Sequence, residues 1–148
     1  MTATQTLSNQ ANAYLKTRVM TASPEELRLM LLDGAARFLR QGIDGLEAKD
    51  YERSFNGISQ CRAIIMELLT GVRPEQAPEL VERVQSLYSF LYAELVDASF
   101  SRDTNRLRKV LGLIEFERET WQMAMQKVRA ERESTNRAPA PAALAAQG

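Results

Sequence analysis

The stretch TASPEEL, residues 21–27, carries the clearest helix-start signal in the chain. Ser23 fits an N-cap, and Pro24 fits the first helical position, where a missing N–H costs nothing. Glu26 fits the third position, from which its carboxylate can reach back to the cap. The stretch therefore predicts a capping box and a helix that begins at residue 24.

Turn and breaker signals further along the chain predict three more helices. Alternation of period two is nowhere sustained, so no strand is predicted. Asp50 is the expected cap of the second helix, and either Asp103 or Thr104 is the expected cap of the fourth. The predicted helices span residues 24–46, 51–70, 78–100 and 105–129. Helices of similar length with short links predict an all-α, antiparallel up-and-down four-helix bundle, which we place at residues 21–130.

Both ends of the chain are predicted to lie outside this bundle. Residues 1–20 are rich in Thr, Gln, Asn and Ala and carry two charges, both basic, which indicates a flexible and partly disordered N-terminal arm. Residues 131–148 end in an Ala/Pro sequence that predicts a disordered C-terminal tail. Pro139 and Pro141 forbid a continuing helix there.

The composition excludes several classes of function. The chain has 148 residues, 19 Lys and Arg against 19 Asp and Glu, one cysteine and no histidine. Without histidine there is no imidazole base, no Ser-His-Asp or Cys-His pair and no Glu-x-x-His ligand set, so we predict no catalysis, no cofactor and no metal site. Zero net charge gives no field that would gather nucleic acid or anionic lipid. One cysteine cannot form an internal disulfide, and no apolar run has signal-peptide or membrane-spanning length, so we expect a cytoplasmic protein.

The apolar faces of two helices are wider than a bundle core requires. On the first helix the charged residues fall in one wedge about 80° wide at 100° per residue, and nearly all the remaining surface is apolar or small. On the fourth helix a second stripe lies opposite the core stripe, formed by Leu113, Phe116, Thr120 and Met123.

Two interpretations of the extra apolar surface stay open. Each helix of a small bundle contacts two neighbours, so wide apolar arcs can be ordinary core. Alternatively, the extra apolar surface is exposed and forms a groove that binds a partner protein. Self-association, as a symmetric dimer or through a swapped arm, would bury the same surface. Four other residues are expected in the core rather than in a site: Tyr51, Phe55, Cys61 and Trp121.

Several runs of the sequence resemble the flagellar secretion chaperone family FliS. The resemblance starts with NAY at 12–14 and VMTASPEEL at 19–27, followed by ML at 30–31, DGA at 33–35 and FL at 38–39. It continues with DYE at 50–52, LY at 87–88 and 91–92, and RETW at 118–121. One departure is Leu32, where the family often has Tyr, so any polar contact made there by the family is in doubt.

The resemblance implies a helical bundle without catalytic activity. The implied partner is the disordered C-terminal segment of newly made flagellin, which the bundle keeps from polymerising and helps to deliver to the flagellar type III export apparatus, with the export gate as a further partner. The chain itself would be a monomer or a weak homodimer. The alternative is a homodimeric helical adaptor, or a structural bundle, without an export role.

The arm has a specific expected role within this resemblance. Tyr14, Val19 and Met20 lie just upstream of the rigid cap, where they can fold over the groove in the free protein and yield to the client. Equally, Val19 and Met20 can pack as the entry to the core. The predicted partner-binding residues are Tyr14, Val19, Met20, Leu29, Met30, Leu32, Ile43, Ile64, Leu68, Tyr88, Tyr92, Leu113, Phe116 and Met123.

Overall fold

A computed structural model describes residues 2–71 and 78–137. It contains five helices: α1 (Thr2–Thr21), α2 (Pro24–Glu47), α3 (Tyr51–Thr70), α4 (Pro78–Ser101) and α5 (Thr104–Asn136). The predicted all-α class is confirmed, and the four bundle helices are α2 to α5. Residues 72–77, between α3 and α4, lie outside the described residues.

The helix start at residue 24 is confirmed. Pro24 is the first residue of α2, and the Ser23 side chain accepts a hydrogen bond from the Glu26 backbone N–H at 3.2 Å. This bond satisfies one of the backbone donors that every helix leaves unpaired in its first turn.

The two turns at the opposite end of the bundle are built alike. Asp50 caps α3 and Asp103 caps α5, and each carboxylate accepts from the backbone N–H three residues on, at 3.1 Å. Asp103 rather than Thr104 is therefore the cap of the last helix. The residue before each cap, Lys49 with φ 57° and Arg102 with φ 53°, adopts the left-handed conformation that makes these turns tight.

The bundle is a square in which α2 and α4 each pack against α3 and α5. All four helices contribute to one core. Its largest fully buried side chains include Leu32 and Leu39 of α2, Ile65 of α3, Tyr88 of α4 and Ile114 of α5. No buried side-chain nitrogen or oxygen atom in the described part of the chain lacks a hydrogen-bond partner.

The contact between α2 and α3 is close because glycines face each other. A Cβ added to Gly57 would lie 2.5 Å from the backbone nitrogen of Gly42 and 2.6 Å from the carbonyl oxygen of Phe38. A Cβ on Gly45 would lie 2.6 Å from the backbone nitrogen of Ser54. The two backbones therefore touch, which explains why this pair of helices tolerates residues that weaken an isolated helix.

The N-terminal arm differs from its prediction. Residues 1–20 were expected to be partly disordered, but residues 2–21 form α1, in which no residue is buried. The segment holds neither Gly nor Pro, and its threonines return hydrogen bonds to carbonyl oxygens one turn back, as Thr6 does to Thr2 at 2.7 Å. The segment can therefore form a helix. Its mixed composition gives this helix no strongly apolar face with which to pack on the bundle.

The last helix also extends beyond its predicted end. The bundle was expected to end at residue 130, yet α5 continues to Asn136. Lys127 with Glu131, and Arg129 with Glu133, stand four residues apart with opposite charges, a spacing that supports a helix. The predicted disordered tail begins inside this extension, and its remaining part, residues 138–148, lies outside the described residues.

None of the described helices is long and apolar enough to cross a membrane.

Candidate functional site

Four of the predicted partner-binding residues are in the core, which corrects their assignment. Leu32 and Tyr88 have no exposed surface, and Leu68 and Ile43 are 2% and 5% exposed. Each lies at the centre of the face that its helix turns to two neighbours, so part of the wide apolar arcs is ordinary core. These four side chains cannot reach a partner unless the bundle opens.

The remaining predicted residues lie at or near the surface. Four are half-buried and six are exposed. Of the exposed six, three lie on the arm and three on the second stripe of the last helix, which we call the α5 stripe: Leu113, Phe116, Thr120 and Met123. The half-buried residues are Leu29, Met30, Ile64 and Tyr92, and the exposed residues are Tyr14, Val19, Met20, Leu113, Phe116 and Met123.

The α5 stripe faces solvent on the side of α5 away from the core. Phe116 is 64% exposed and Met123 is 61% exposed, and Leu113 is partly exposed beside them. Spacings of three, four and three residues place the stripe on one face of the helix. This face offers a continuous apolar surface to an outside partner.

A second apolar surface was missed by the sequence analysis. Tyr51 and Phe55, which we expected in the core, are 45% and 63% exposed. At 100° per residue, Phe55 lies about 60° from Ile58, which is buried. The core face predicted for this helix was therefore too wide, because it included Phe55 as well as Ile58. The sequence alone does not show where this face ends, because that depends on which helices pack beside it.

These side chains lie on the flank of α3 that faces α4. The opposite flank faces α2, because Gly57 and Ile64 contact α2 there. On α4, the flank toward α5 carries Glu94, which pairs with α5, so its other flank faces α3. We call the surface between the two flanks the α3–α4 groove. At 100° per residue, the outward-facing residues of these flanks are Phe55, Arg62, Met66, Tyr92 and Val96.

A cation stacks on an aromatic residue at the end of the bundle where α3 begins. The Arg102 guanidinium carbon lies 4.0 Å from the centre of the Tyr51 ring. Phe100, two residues before Arg102 in the chain, is 88% exposed, the largest exposure among the large apolar side chains of the described residues. A cation stacked on an aromatic face is a modest attraction, which favours this orientation of the Tyr51 ring.

The surface between α2 and α5 has the opposite character. Arg40 pairs with Glu115 at 2.6 Å, and two further ion pairs, Asp33 with Arg118 and Glu47 with Arg108, cross between the same helices. These charged side chains cover the α2–α5 contact and leave little apolar surface there. Because the pairs are largely exposed, each contributes little to stability, and their main effect is on what can bind there.

A polar cluster joins three helices near the start of α2. Arg28 donates a hydrogen bond to the Tyr88 hydroxyl at 2.9 Å, and this hydroxyl donates to Glu117 at 3.3 Å. The Trp121 indole N–H donates to the Glu25 carbonyl oxygen at 3.1 Å, so the half-buried indole is fixed by a hydrogen bond as well as by packing. Burial raises the pKa of Tyr88 to about 12, so its hydroxyl stays protonated at neutral pH.

The described residues contain no group of side chains suited to hold a metal ion. Cys61 is fully buried, as predicted, and burial raises the pKa of its thiol to about 12. A thiol of this kind is a packing residue rather than a nucleophile, because the reactive form is the thiolate. The chemistry of the described surface is therefore that of apolar and charged contacts.

Comparison with known proteins agrees with this architecture. The sequence pattern of the family described as "Flagellar protein FliS" matches residues 7–128. The flagellar secretion chaperone FliS of Bacillus subtilis is 32% identical over 126 residues, which cover 85% of this chain and 93% of that protein. The protein of the same name from Salmonella typhimurium is 29% identical over 118 residues, covering 79% and 87%.

A solved structure shows the same fold. The crystal structure of a flagellar chaperone from bacteria superposes with a TM-score of 0.67 at 12% sequence identity, covering 80% of this chain and 98% of that one. The fold, the family pattern across most of the chain and the similarity to the Bacillus protein lead to one conclusion: the chain belongs to the FliS family of flagellar proteins.

Proposed function

We propose that this protein is a cytoplasmic export chaperone that binds the disordered C-terminal segment of flagellin, prevents its premature polymerisation and aids its delivery to the flagellar type III export apparatus. The observation that carries the proposal is the exposed apolar surface on a bundle whose core is already filled. Monomeric proteins rarely leave contiguous apolar patches of more than a few hundred Å² without a partner.

A disordered client suits such a surface. It can wrap around a small bundle and lay short apolar stretches on separate faces, which buries a large area. The ordering of the client on binding opposes part of this gain, so affinity per Å² is modest and release at the export apparatus is feasible. The α5 stripe and the α3–α4 groove lie on different sides of the bundle and offer two such stretches a place to bind.

The proposed role is non-catalytic. The chain has no histidine, and its only thiol is buried and protonated. Binding and release of the client require no covalent step, so a surface of apolar side chains suffices for the whole function.

The arm is part of the same proposal. Tyr14 and Met20 are 68% and 76% exposed, and the arm joins α2 beside Glu25, which the Trp121 indole of α5 contacts. The arm is therefore connected near the α5 stripe, where it can fold over the stripe and give way to the client. Removal of residues 1–18 should strengthen client binding or leave it unchanged.

A titration tests the proposal. A labelled C-terminal flagellin peptide from the same genome is titrated with the full-length protein, with anisotropy for affinity and circular dichroism for helix formation by the peptide. We expect binding at micromolar concentrations or tighter, and about tenfold weaker binding when Phe116 and Met123 are both changed to Gln. Lys109→Gln, an exposed change on the same helix, serves as the control.

Two results would contradict the proposal. Absence of binding at micromolar concentrations would remove the client assignment, and a tight dimer at low concentration without peptide affinity would favour the homodimeric adaptor. A large loss of affinity on removal of residues 1–18, with the bundle helices intact, would show that the arm is a binding element and not a lid.

A further inference from the structure

Helix α4 carries a second line of side chains on the side away from the core. Its buried core face consists of Val84, Tyr88, Leu91, Leu95 and Ala98. About 150° around the helix, at 100° per residue, lies a line whose members are all exposed. We call this line the α4 seam, and it consists of Arg83, Ser86, Phe90, Ala93, Asp97 and Phe100.

The two aromatic residues of the α4 seam have no part in the proposed function. Phe90 is 52% exposed and Phe100 is 88% exposed, and neither belongs to the α5 stripe or to the α3–α4 groove. A phenylalanine side chain can bury a large apolar area, so rings left in water favour any contact that covers them.

The spacing of the α4 seam is that of a coiled coil. Its successive members stand three, four, three, four and three residues apart, the alternation that keeps a line of side chains facing a second helix. This series of spacings reads the same from both ends. A second copy of α4, laid antiparallel, therefore meets the seam position by position, as a two-fold symmetric contact requires.

We propose that the α4 seam pairs with the α4 seam of a second copy of this chain, antiparallel and across a two-fold axis, to form a homodimer. The axis passes between Phe90 and Ala93. Phe90 then faces Ala93 of the second copy, so the ring packs where the opposite side chain is a single methyl group. Large side chains that face small ones let two helices interdigitate without a void.

The polar members of the seam meet complementary groups in the same arrangement. Ser86 faces Asp97 of the second copy, whose carboxylate can accept a hydrogen bond from the hydroxyl. Arg83 faces Phe100 of the second copy and lies one turn from that Asp97, so it can stack on the ring or pair with the carboxylate. The Asp97 side chain lies 3.6 Å from Arg106 of its own chain but is 64% exposed, which leaves it accessible to a second copy.

The charges of the seam disfavour other occupants. A parallel second copy would place Arg83 against Arg83 and Asp97 against Asp97, and like charges repel across such a contact. An apolar client helix would cover both charges without pairing them, which is costly. The N-terminal arm has Lys16 and Arg18 as its only charges, so it offers Arg83 no carboxylate.

The size of the seam sets the strength of the dimer. From residue 83 to residue 100 the seam is about 26 Å long at 1.5 Å per residue. One helix pair of this length buries less than the roughly 1,200 Å² at which stable interfaces begin, so we expect a dissociation constant on the order of 10–100 µM. Because the seam contains no residue of the α5 stripe, the dimer and the client do not compete for the same side chains.

Sedimentation velocity of the full-length protein tests the dimer, with Phe90→Gln and Phe55→Gln as matched variants. Both rings are exposed, at 52% and 63%, but Phe55 lies on α3. Between about 5 and about 300 µM we expect a reversible wild-type dimer. Phe90→Gln, which removes two rings from each dimer, should raise the dissociation constant at least about tenfold, and Phe55→Gln should change it less than about twofold. A wild-type protein that stays monomeric throughout this range would overturn the proposal, and so would equal effects of the two substitutions.

A charge exchange tests the antiparallel arrangement. Arg83→Glu and Asp97→Lys should each weaken the dimer, because each places like charges across the contact, while circular dichroism should show the bundle helices unchanged. An equimolar mixture of the two variants should dimerise again. In the mixed dimer the new Glu of one chain faces the new Lys of the other, and the unchanged Arg83 and Asp97 face each other. A mixture that stays monomeric would overturn the antiparallel seam.

Peptide titration separates self-association from client binding. At about 1 µM protein, where a dimer of the expected strength is dissociated, Phe90→Gln should bind the labelled flagellin peptide as the wild-type protein does. A loss of peptide affinity of about tenfold in this variant would assign the seam to the client and overturn the dimer. The dimer does not depend on the proposed function, so a wild-type protein that dimerises without binding the peptide would overturn the proposed function alone.

Discussion

Gly57 shows how much of the bundle depends on single atoms. Its hydrogen atom occupies a place where any Cβ would lie 2.5 Å from the backbone nitrogen of Gly42. Because the obstacle is backbone on a facing helix, rotation of a side chain cannot relieve it, and the helices would have to separate. Gly112, in the exposed part of α5, would place a Cβ in open space with nothing within 4 Å.

The two glycines predict opposite responses to the same change. Gly57→Ala should lower the free energy of unfolding by about 3 kcal/mol through overpacking. Gly112→Ala should raise it by about 0.5–1 kcal/mol, because Ala favours the helix and restricts the unfolded chain. Urea unfolding followed by circular dichroism measures both. Equal effects of the two substitutions would show that the close α2–α3 contact is absent in solution.

Cys61 and Tyr88 predict a loss of stability in alkali. Burial raises the pKa of Cys61 from 9.0, and that of Tyr88 from 10.0, to about 12 in the folded protein. Between about pH 9 and pH 12 the unfolded chain releases these protons while the native state keeps them. Native stability is therefore full below pH 9 and declines as the pH rises toward 12.

Urea midpoints between pH 8 and pH 11 measure this decline. Cys61→Ala should flatten the slope above pH 9, although the loss of buried sulfur also lowers stability at every pH. A wild-type midpoint that stays constant across this range would contradict a raised pKa of Cys61 and Tyr88 in the folded protein. The native thiol should also resist a thiol reagent at pH 8 until urea unfolds the chain.

At the scale of the helices, the sequence predicts most boundaries because caps are local chemistry. Asp50 caps α3 where expected, and α2 begins at the predicted Pro24. Two features depended on weaker signals. Neither residues 2–21 nor residues 131–136 contain a Gly or Pro that would break a helix. The expectation of disorder in these two segments came from their composition alone. Both segments are helical although neither packs against the core of the bundle.

The candidate site was less predictable than the helices. The α5 stripe could be read from sequence because it lies opposite the core stripe, where no neighbour can reach. The α3–α4 groove could not be predicted from the sequence, because exposed Phe55 lies only about 60° around α3 from buried Ile58. Leu32 and Ile43 were wrongly predicted as site residues because α2 packs against two helices. The wide apolar face of α2 is therefore buried at these two positions.

The whole molecule combines zero net charge with exposed apolar faces. No long-range field arises from 19 basic and 19 acidic residues mixed along the chain, so association should not depend on electrostatic steering.

Client binding should therefore respond weakly to salt. We expect the dissociation constant of the flagellin peptide to change by less than about threefold between 50 and 500 mM NaCl, as measured by anisotropy. A change of about a hundredfold with salt would mean that charge, rather than apolar burial, carries recognition.

The backbone contact between α2 and α3 also divides the bundle into parts of unequal mobility. Amide protons around Gly42 and Gly57 can exchange with solvent only when both helices separate, which is close to global unfolding. Helix α4 has no such contact and can move away from α3 by a smaller, local opening. Hydrogen exchange should therefore be fast in α1, intermediate in α4 and slowest at the α2–α3 crossing, so that the wall of the groove that moves is α4.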